Sequence, residues 1–118
     1  MMSHAKPIPI RLSLAGACAL ALLSAAPTRA EQAVEVQLTY ANGAFQPNEV
    51  RAPADRSVVF RVRNLDGKAM EFESKSLRVE KVVAAKSEGI INVRALKPGR
   101  YEFYDDFNEK ARGALNVQ

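Results

Sequence analysis

The chain has 118 residues and a formal net charge of +4, and 47% of its residues are hydrophobic. This length and composition allow one small globular domain and leave no room for a second. Lys6, Arg11 and Arg29 supply most of the positive excess, and without residues 1–30 the balance is 14 basic against 13 acidic side chains. A chain so nearly neutral beyond residue 30 does not indicate a nucleic-acid partner.

Residues 1–30 have the features of a secretory signal peptide. Lys6 and Arg11 form a basic segment, the run from Leu12 to Leu23 is apolar, and Thr28-Arg29-Ala30 offers small residues for cleavage before Glu31. The apolar run is shorter than the roughly 20 residues that a membrane-spanning helix needs. We therefore predict export to the periplasm, a domain over residues 31–118 and no transmembrane segment after cleavage.

Histidine and cysteine are confined to the predicted signal peptide. His4 and Cys18 are the only ones in the chain. The predicted domain therefore has no disulfide, although export leads to an oxidising compartment. It also has no imidazole or thiol for general-base or covalent catalysis, which makes an enzyme acting on an organic substrate a distant hypothesis.

Residues 31–118 show the two-residue alternation of short β-strands. Turn dipeptides such as Asn42-Gly43 and Pro98-Gly99 separate them, a loop is predicted from Asp105 to Arg112, and residues 74–88 remain open between strand and irregular structure. Seven or eight strands without a convincing helix predict an all-β fold, an antiparallel sandwich or Greek-key barrel. The clearest strand segments are Val34–Tyr40, Glu49–Ala52, Ser57–Asn64, Met70–Glu73, Ile90–Leu96, Tyr101–Tyr104 and Gly113–Val117.

The order of turn and core residues resembles a known family. The stretches that carry the resemblance are Phe45-x-Pro47-x-x-Val50, Asn64-x-Asp66, Met70-Glu71-Phe72-Glu73, Leu96-x-Pro98-Gly99-x-Tyr101 and Gly113-x-Leu115-x-Val117. Together they are similar to the periplasmic cupredoxin-like domains, and most similar to the cupredoxin-like components of bacterial iron-uptake systems that accompany an iron permease. The resemblance implies a cupredoxin-like Greek-key fold, a metal ion and an inner-membrane iron permease or associated periplasmic protein as partner.

The blue-copper ligand pattern of that family is not kept here. By the resemblance, its first histidine corresponds to Met70, its cysteine to Asp105, its second histidine to Asn108 and its methionine to a position near Ala111 or Arg112. Copper in such centres depends on thiolate and imidazole ligands. The sequence therefore predicts no blue-copper centre.

The residues that stand at those positions suggest a different metal site. If the family topology holds, Met70 and Asp105 converge at one end of the sandwich, because strand parity points both toward the same side. Their thioether and carboxylate are candidate ligands, and carboxylates suit iron, manganese or calcium better than copper. The candidates that would complete the set of ligands are Asp106, Glu71, Glu73 and Glu80.

Each candidate also has a purely structural interpretation. Met70 on an apolar strand face is often a core residue, and Asp105-Asp106 at a strand end is typical of a turn. Glu71 and Glu73 on a polar strand face are commonly exposed to solvent. Tyr101 is similar to the tyrosine corner of Greek-key sandwiches, in which the hydroxyl binds loop backbone.

Two function hypotheses follow. The first is a periplasmic metal-handling protein that binds iron or copper in support of iron uptake, with ferroxidase activity through the bound metal left open. The alternative is a metal-free β-sandwich that docks onto a membrane complex through an exposed face such as that of Arg61 and Arg63.

Overall fold

The computed structural model describes residues 3–5 and 32–118. The predicted signal peptide and its cleavage site lie outside the described residues, apart from residues 3–5. Within the described part of the chain, no helix is long and apolar enough to cross a membrane.

Nine strands make up the domain, one more than the upper limit of the prediction. They are β1 (Val34–Ala41), β2 (Ala44–Gln46), β3 (Glu49–Ala52), β4 (Val58–Asn64), β5 (Met70–Ser74), β6 (Val79–Val83), β7 (Glu88–Val93), β8 (Gly99–Asp105) and β9 (Asn108–Val117). The prediction of an all-β fold is confirmed. The unpredicted strand, β2, follows the Asn42-Gly43 turn and pairs with β1, and its three residues are too few to show a period.

The strands form two sheets, with the orders β2-β1-β4-β7 and β3-β9-β8-β5-β6. Strands that follow one another in sequence repeatedly lie in different sheets, as expected of a Greek-key sandwich. Two pairings, β1 with β4 and β3 with β9, are parallel, so the sheets are mixed rather than purely antiparallel.

The prediction of a loop from Asp105 to Arg112 is wrong. Strand β8 continues to Asp105 and β9 begins at Asn108, so a two-residue turn of Asp106 and Phe107 joins them. The first residues of β9 are exposed and charged, and they show no apolar alternation because they extend past the core. Main-chain pairing with β8 forms this strand, with a register shift between Tyr104 and Asp105.

The core lies between the sheets and is centred on aromatic rings. Phe45, Phe60, Phe72 and Phe103 pack with centroid separations between 5.0 and 6.1 Å. Gly113 makes room for this packing, because a Cβ there would stand 2.5 Å from the Phe103 ring. The inner faces are filled in this way, and Glu71 and Glu73 of β5 and Glu102 of β8 face outward, on the face where the candidate site lies.

Candidate functional site

Three carboxylates come together on the outer face of the five-stranded sheet. Met70 and Phe72 are fully buried, so the alternation of β5 turns Glu71 and Glu73 outward. One carboxylate oxygen from each of Glu71, Glu73 and Asp106 lies within 4.8 Å of the others. We call these three residues the outer-face cluster.

The pairing of β5 with β8 explains why the cluster forms. Glu73 is directly opposite Tyr104 in this antiparallel pair. The next position of the same register sets Asp106 beside Glu71, and the Asp106 N–H donates to the Glu71 carbonyl at 2.9 Å. Side chains at such opposite positions stand about 5 Å apart at Cβ. Glu71, Glu73, Tyr104 and Asp106 therefore lie at the corners of a square on these two neighbouring strands.

The cluster carries negative charge that no ion pair among the described residues neutralises, and Lys75 offsets it only weakly at Glu73. Partial burial, followed by the nearby Asp106 and Glu80 carboxylates, raises the pKa of Glu71 and also that of Glu73. Among the described residues, no Lys or Arg forms an ion pair with the three members. A cation at this position would relieve the repulsion.

Glu80 lies beside the cluster on the neighbouring strand. It is opposite Glu73 in the pairing of β5 with β6, and its side chain is exposed. The predicted candidates Glu71, Glu73, Asp106 and Glu80 are therefore neighbours on one face.

Asp105 lies on the inner side of the same sheet, in a fully bonded environment. It is 2% exposed, and its Oδ2 accepts a hydrogen bond of 2.5 Å from the Tyr40 hydroxyl. Its Oδ1 accepts hydrogen bonds from the backbone N–H groups of Glu71 and Phe107, each at 2.9 Å. Asp105 thus ties β1, β5 and the Asp106–Phe107 turn together, which is the structural role weighed in the sequence analysis.

The hydrogen bond to Asp105 also affects Tyr40. Burial, and then the bond to the Asp105 carboxylate, raises the pKa of Tyr40 to about 12. The sequence predicts a strand that ends at Tyr40 but gives no sign of this partner. The two residues are 65 positions apart, and no local pattern links them.

Met70 lies in the core with no exposed surface, opposite Val83 of β6. Across β5 and β8, the strand partner of Asp105 is Phe72, the next inward residue after Met70. The two side chains are therefore both on the inner side, while the outer-face cluster is on the other. Ligation by Met70 and Asp105 stays a prediction.

A cleft of about 630 Å³ opens at the end of the sandwich above Asp105. It is lined by Tyr40, Asp66, Lys68, Phe107 and Asn108, among others. Asn108, the counterpart of the family's second histidine, is exposed at its rim, and Phe107 is also exposed. This end of the fold is where the resemblance placed the copper ligands.

Comparison with known proteins relates the chain to one family. The family model described as "Cupredoxin-like domain" matches residues 14–117, a span that begins inside the predicted signal peptide. An uncharacterized protein of Rickettsia prowazekii (strain Madrid E) is 35% identical over 85 residues, covering 71% of this chain and 68% of that protein.

Solved structures with the same fold include copper proteins. The metal-binding domain of the Streptococcus pneumoniae D39 Cu(I)-exporting P-type ATPase, with Cu(I), has a TM-score of 0.62 at 13% identity, covering 71% of this chain and 84% of that one. Auracyanin A, a "blue" copper protein from Chloroflexus aurantiacus, has a TM-score of 0.63 at 12% identity, covering 74% and 100%. At these identities the likeness shows a shared fold.

Proposed function

We propose, from the premise that this chain belongs to the cupredoxin-like domain family, that it is an exported metal-handling protein whose cargo is iron. The ion would be bound by the outer-face cluster of Glu71, Glu73 and Asp106, with Glu80 available beside it. The protein would work in the periplasm in support of iron uptake and pass the ion to an inner-membrane permease or an associated protein.

The observation that carries the proposal is the convergence of three carboxylates within 4.8 Å, none of which forms an ion pair among the described residues. Like charges held this close are costly unless a cation or a proton compensates them, which the raised pKa values of Glu71 and Glu73 reflect. An all-oxygen set of ligands suits hard and borderline cations and does not suit Cu(I). Iron is favoured over Cu(I) on that ground.

Export and the permease partner rest on the sequence. The predicted signal peptide supports a periplasmic location, and the resemblance of Met70-Glu71-Phe72-Glu73 to iron-uptake components supports the partner. Two of the cluster's members, Glu71 and Glu73, belong to that segment. Ferroxidase activity at the same cluster would require an external electron acceptor such as dioxygen to take the electron that the ferrous ion loses.

Metal titration of the purified protein tests the proposal. Isothermal calorimetry with Fe²⁺ under anaerobic conditions, and with Mn²⁺, Ca²⁺ and Cu²⁺, should show one oxygen-type site that binds Fe²⁺ more tightly than Mn²⁺; Cu²⁺ binds any such site more tightly than Fe²⁺ and serves only to count sites. The double variant Glu71→Gln/Glu73→Gln should weaken binding by about 10-fold to 100-fold or more, since even the loss of an outer-shell partner has an effect of that size.

Matched variants separate this site from the buried end of the sandwich. Glu102→Gln removes an exposed carboxylate from the outer face of β8 and should leave the affinity unchanged. Met70→Ala and Asp105→Asn test the ligands predicted from the family topology. If no ion binds below millimolar concentration, or if the double variant binds as the wild type does, the proposal is wrong.

A metal-free docking protein is the second candidate, and one observation favours it. Asp105 is engaged by three hydrogen-bond donors and Met70 is packed in the core, so the structure gives both a structural role without a metal. Arg63 on β4 is exposed and would face a partner, whereas Arg61 forms ion pairs with Glu35 and Glu88.

Thermal melting distinguishes the two candidates. A cation that binds only the folded state must raise the melting temperature as its concentration rises. A shift with iron that the Glu71→Gln/Glu73→Gln variant lacks supports metal handling. An unchanged melting temperature with every ion supports docking.

A further inference from the structure

Within the described part of the chain, four strands form the edges of the two sheets: β2 and β7 in one sheet, β3 and β6 in the other. Edge strands are normally protected from pairing with another chain by short length, a proline, a bulge or an inward-pointing charge. β2 and β3 have only three and four residues, and Pro47 lies between them. β6 carries Lys81 on its inner side, opposite Phe72. Over Glu88–Val93, the six residues of β7 have none of these features.

The pairing of β7 with β4 determines which of its main-chain groups face the free edge. The Asn64 N–H donates to the Ser87 carbonyl at 2.8 Å, one step beyond the end of this antiparallel pair. Hydrogen-bonded residue pairs alternate with unbonded pairs along such a ladder. In the same register, the β7 residues that bond to β4 are Gly89, Ile91 and Val93. The N–H and C=O groups that point away from the sheet are therefore those of Glu88, Ile90 and Asn92.

The middle of this edge is open. A groove of about 440 Å³ runs between β7, at Ile90 and Asn92, and β6, at residues 78–81. The Ile90 side chain is 39% exposed. Beyond the pairing with β4, residues 88, 90 and 92 make no main-chain hydrogen bond within the described chain. The edge has both the free groups and the space that an added strand needs.

We propose that β7 pairs with β7 of a second copy of this chain, antiparallel and about a two-fold axis at Ile90. In this register Ile90 is opposite Ile90 of the partner subunit, and Glu88 is opposite Asn92 of the partner subunit. All three residues with free main-chain groups are then in hydrogen-bonded pairs, which no register shifted along the strand achieves.

The side chains of this edge complement their own copies, and for that reason the occupant is a second copy. The exposed isoleucines meet at the centre. The Asn92 amide forms no hydrogen bond among the described residues and can donate to the Glu88 carboxylate of the partner subunit. Arg61 bonds only the Oε1 atom of that carboxylate, so Oε2 remains as acceptor. By contrast, β6 paired about its own middle would set Glu80 or Lys81 against the same charge, which is destabilising.

The dimer leaves the outer-face cluster accessible. Opposite residues of an antiparallel pair point to the same face, so the two-fold axis is perpendicular to the sheet. The two four-stranded sheets join into one of eight strands, while the clusters lie on the other sheet of each copy. Both clusters then face the same side of the dimer. Dimerisation is independent of the proposed function and is expected with or without a metal ion.

Sedimentation equilibrium of the purified protein, from micromolar to millimolar concentration, tests the inference. We expect a reversible equilibrium between monomer and dimer. Ile90→Lys sets two charges against each other at the centre and should remain monomeric with an unchanged far-UV circular dichroism spectrum. Val82→Lys is the matched control, because Val82 is the exposed apolar residue of β6 and is 54% exposed. It should dimerise as the wild type does.

Variants of Asn92 test the register. Asn92→Lys faces Glu88 of the partner subunit and should tighten the dimer, whereas Asn92→Asp should weaken it. Each change should be about 2-fold to 30-fold in the dissociation constant, since two cross-strand pairs are altered. Hydrogen exchange of the wild type should show the Ile90 and Asn92 amides becoming protected as the concentration rises, a readout that needs no variant.

Three outcomes would overturn the inference. One is a wild-type protein that stays monomeric up to millimolar concentration, which would leave the edge free for a different protein. Another is an Ile90→Lys variant that dimerises as the wild type does, which would place the contact on another surface. The third is a pair of Asn92 variants that do not shift the dissociation constant in opposite directions.

Discussion

Replacing Tyr40 with phenylalanine tests the buried hydrogen bond at the end of the sandwich. The substitution removes one hydroxyl and keeps the ring, which packs edge-on against Phe45 at 5.1 Å. Asp105 would keep its two backbone donors and lose the third, in a position with 2% exposure.

A hydrogen bond to a charged group contributes about 1.5–3 kcal/mol to stability. The pKa of Tyr40 is raised from 10.0 to about 12, first by burial and then by the hydrogen bond to Asp105. A shift of that size corresponds to about 3 kcal/mol between the two protonation states, of which the hydrogen bond supplies only a part. The folded-state pKa is the higher one, so this contribution is complete below about pH 10 and is lost as the pH rises toward about 12.

Urea denaturation from neutral to alkaline pH measures the effect. The difference in unfolding free energy between wild type and Tyr40→Phe should be about 2–3 kcal/mol at neutral pH and should shrink above about pH 10. Tyr101→Phe, which removes a neutral hydrogen bond, should cost less, about 0.5–1.5 kcal/mol. A Tyr40→Phe cost below about 0.5 kcal/mol, or one that does not vary with pH, would refute the reasoning.

Three further predictions concern single positions. Gly113→Ala should destabilise the domain by about 1–3 kcal/mol in urea denaturation, because the alanine Cβ would stand 2.5 Å from the Phe103 ring. Gly67→Ala is the control and should change stability by less than about 0.5 kcal/mol, because no atom lies within 4 Å of a Cβ at that position. Burial and nearby carboxylates raise the pKa of Glu73, so its charge opposes folding once the pH exceeds that pKa. Glu73→Gln should therefore raise the melting temperature at pH 7 and have no effect in acid, and a lower melting temperature at pH 7 would contradict this. Hydrogen bonds from two backbone N–H groups lower the pKa of Asp66, so Asp66→Asn should lower the melting temperature at pH 7, with a difference that diminishes as the pH falls; a constant difference would argue against it.

The strands with an apolar inner face were predictable from the sequence. Val58, Phe60 and Val62 alternate with outward residues, and the structure has a strand from Val58 to Asn64. The tyrosine corner was also predictable, since the Tyr101 hydroxyl binds the Lys97 carbonyl as expected. Both features depend on residues close in sequence, for which periodicity and turn position carry enough information.

The start of β9 was not predictable in the same way. Its first three residues, Asn108, Glu109 and Lys110, are exposed and polar, so no apolar alternation marks them. They become a strand because their backbone pairs with β8. This pairing depends on the backbone of both strands of the hairpin and not on the side chains of one segment. Because of it, only Asp106 and Phe107 lie outside the strands, where a longer loop was predicted.

The candidate site was predictable only as a list of residues. The sequence shows that Glu71 and Glu73 share a face, because they are two positions apart on a strand. It does not show that Tyr104 and Asp106 lie across from them, because that depends on the register of β5 with β8, set by side chains more than 30 positions away. For the same reason, the partnership of Tyr40 with Asp105 had no counterpart in any local pattern.

The two-residue turn between β8 and β9 affects how quickly a cation could exchange. Because the carboxylates project from two paired strands and are partly or fully exposed, an ion on this face would meet protein ligands from one side and solvent from the other. Ligands from a partner protein could bind the solvent-facing side of the ion before the carboxylates release the ion. Transfer by such direct replacement avoids a free ion and needs no opening of the sandwich, so the limiting step would be the encounter of the two proteins.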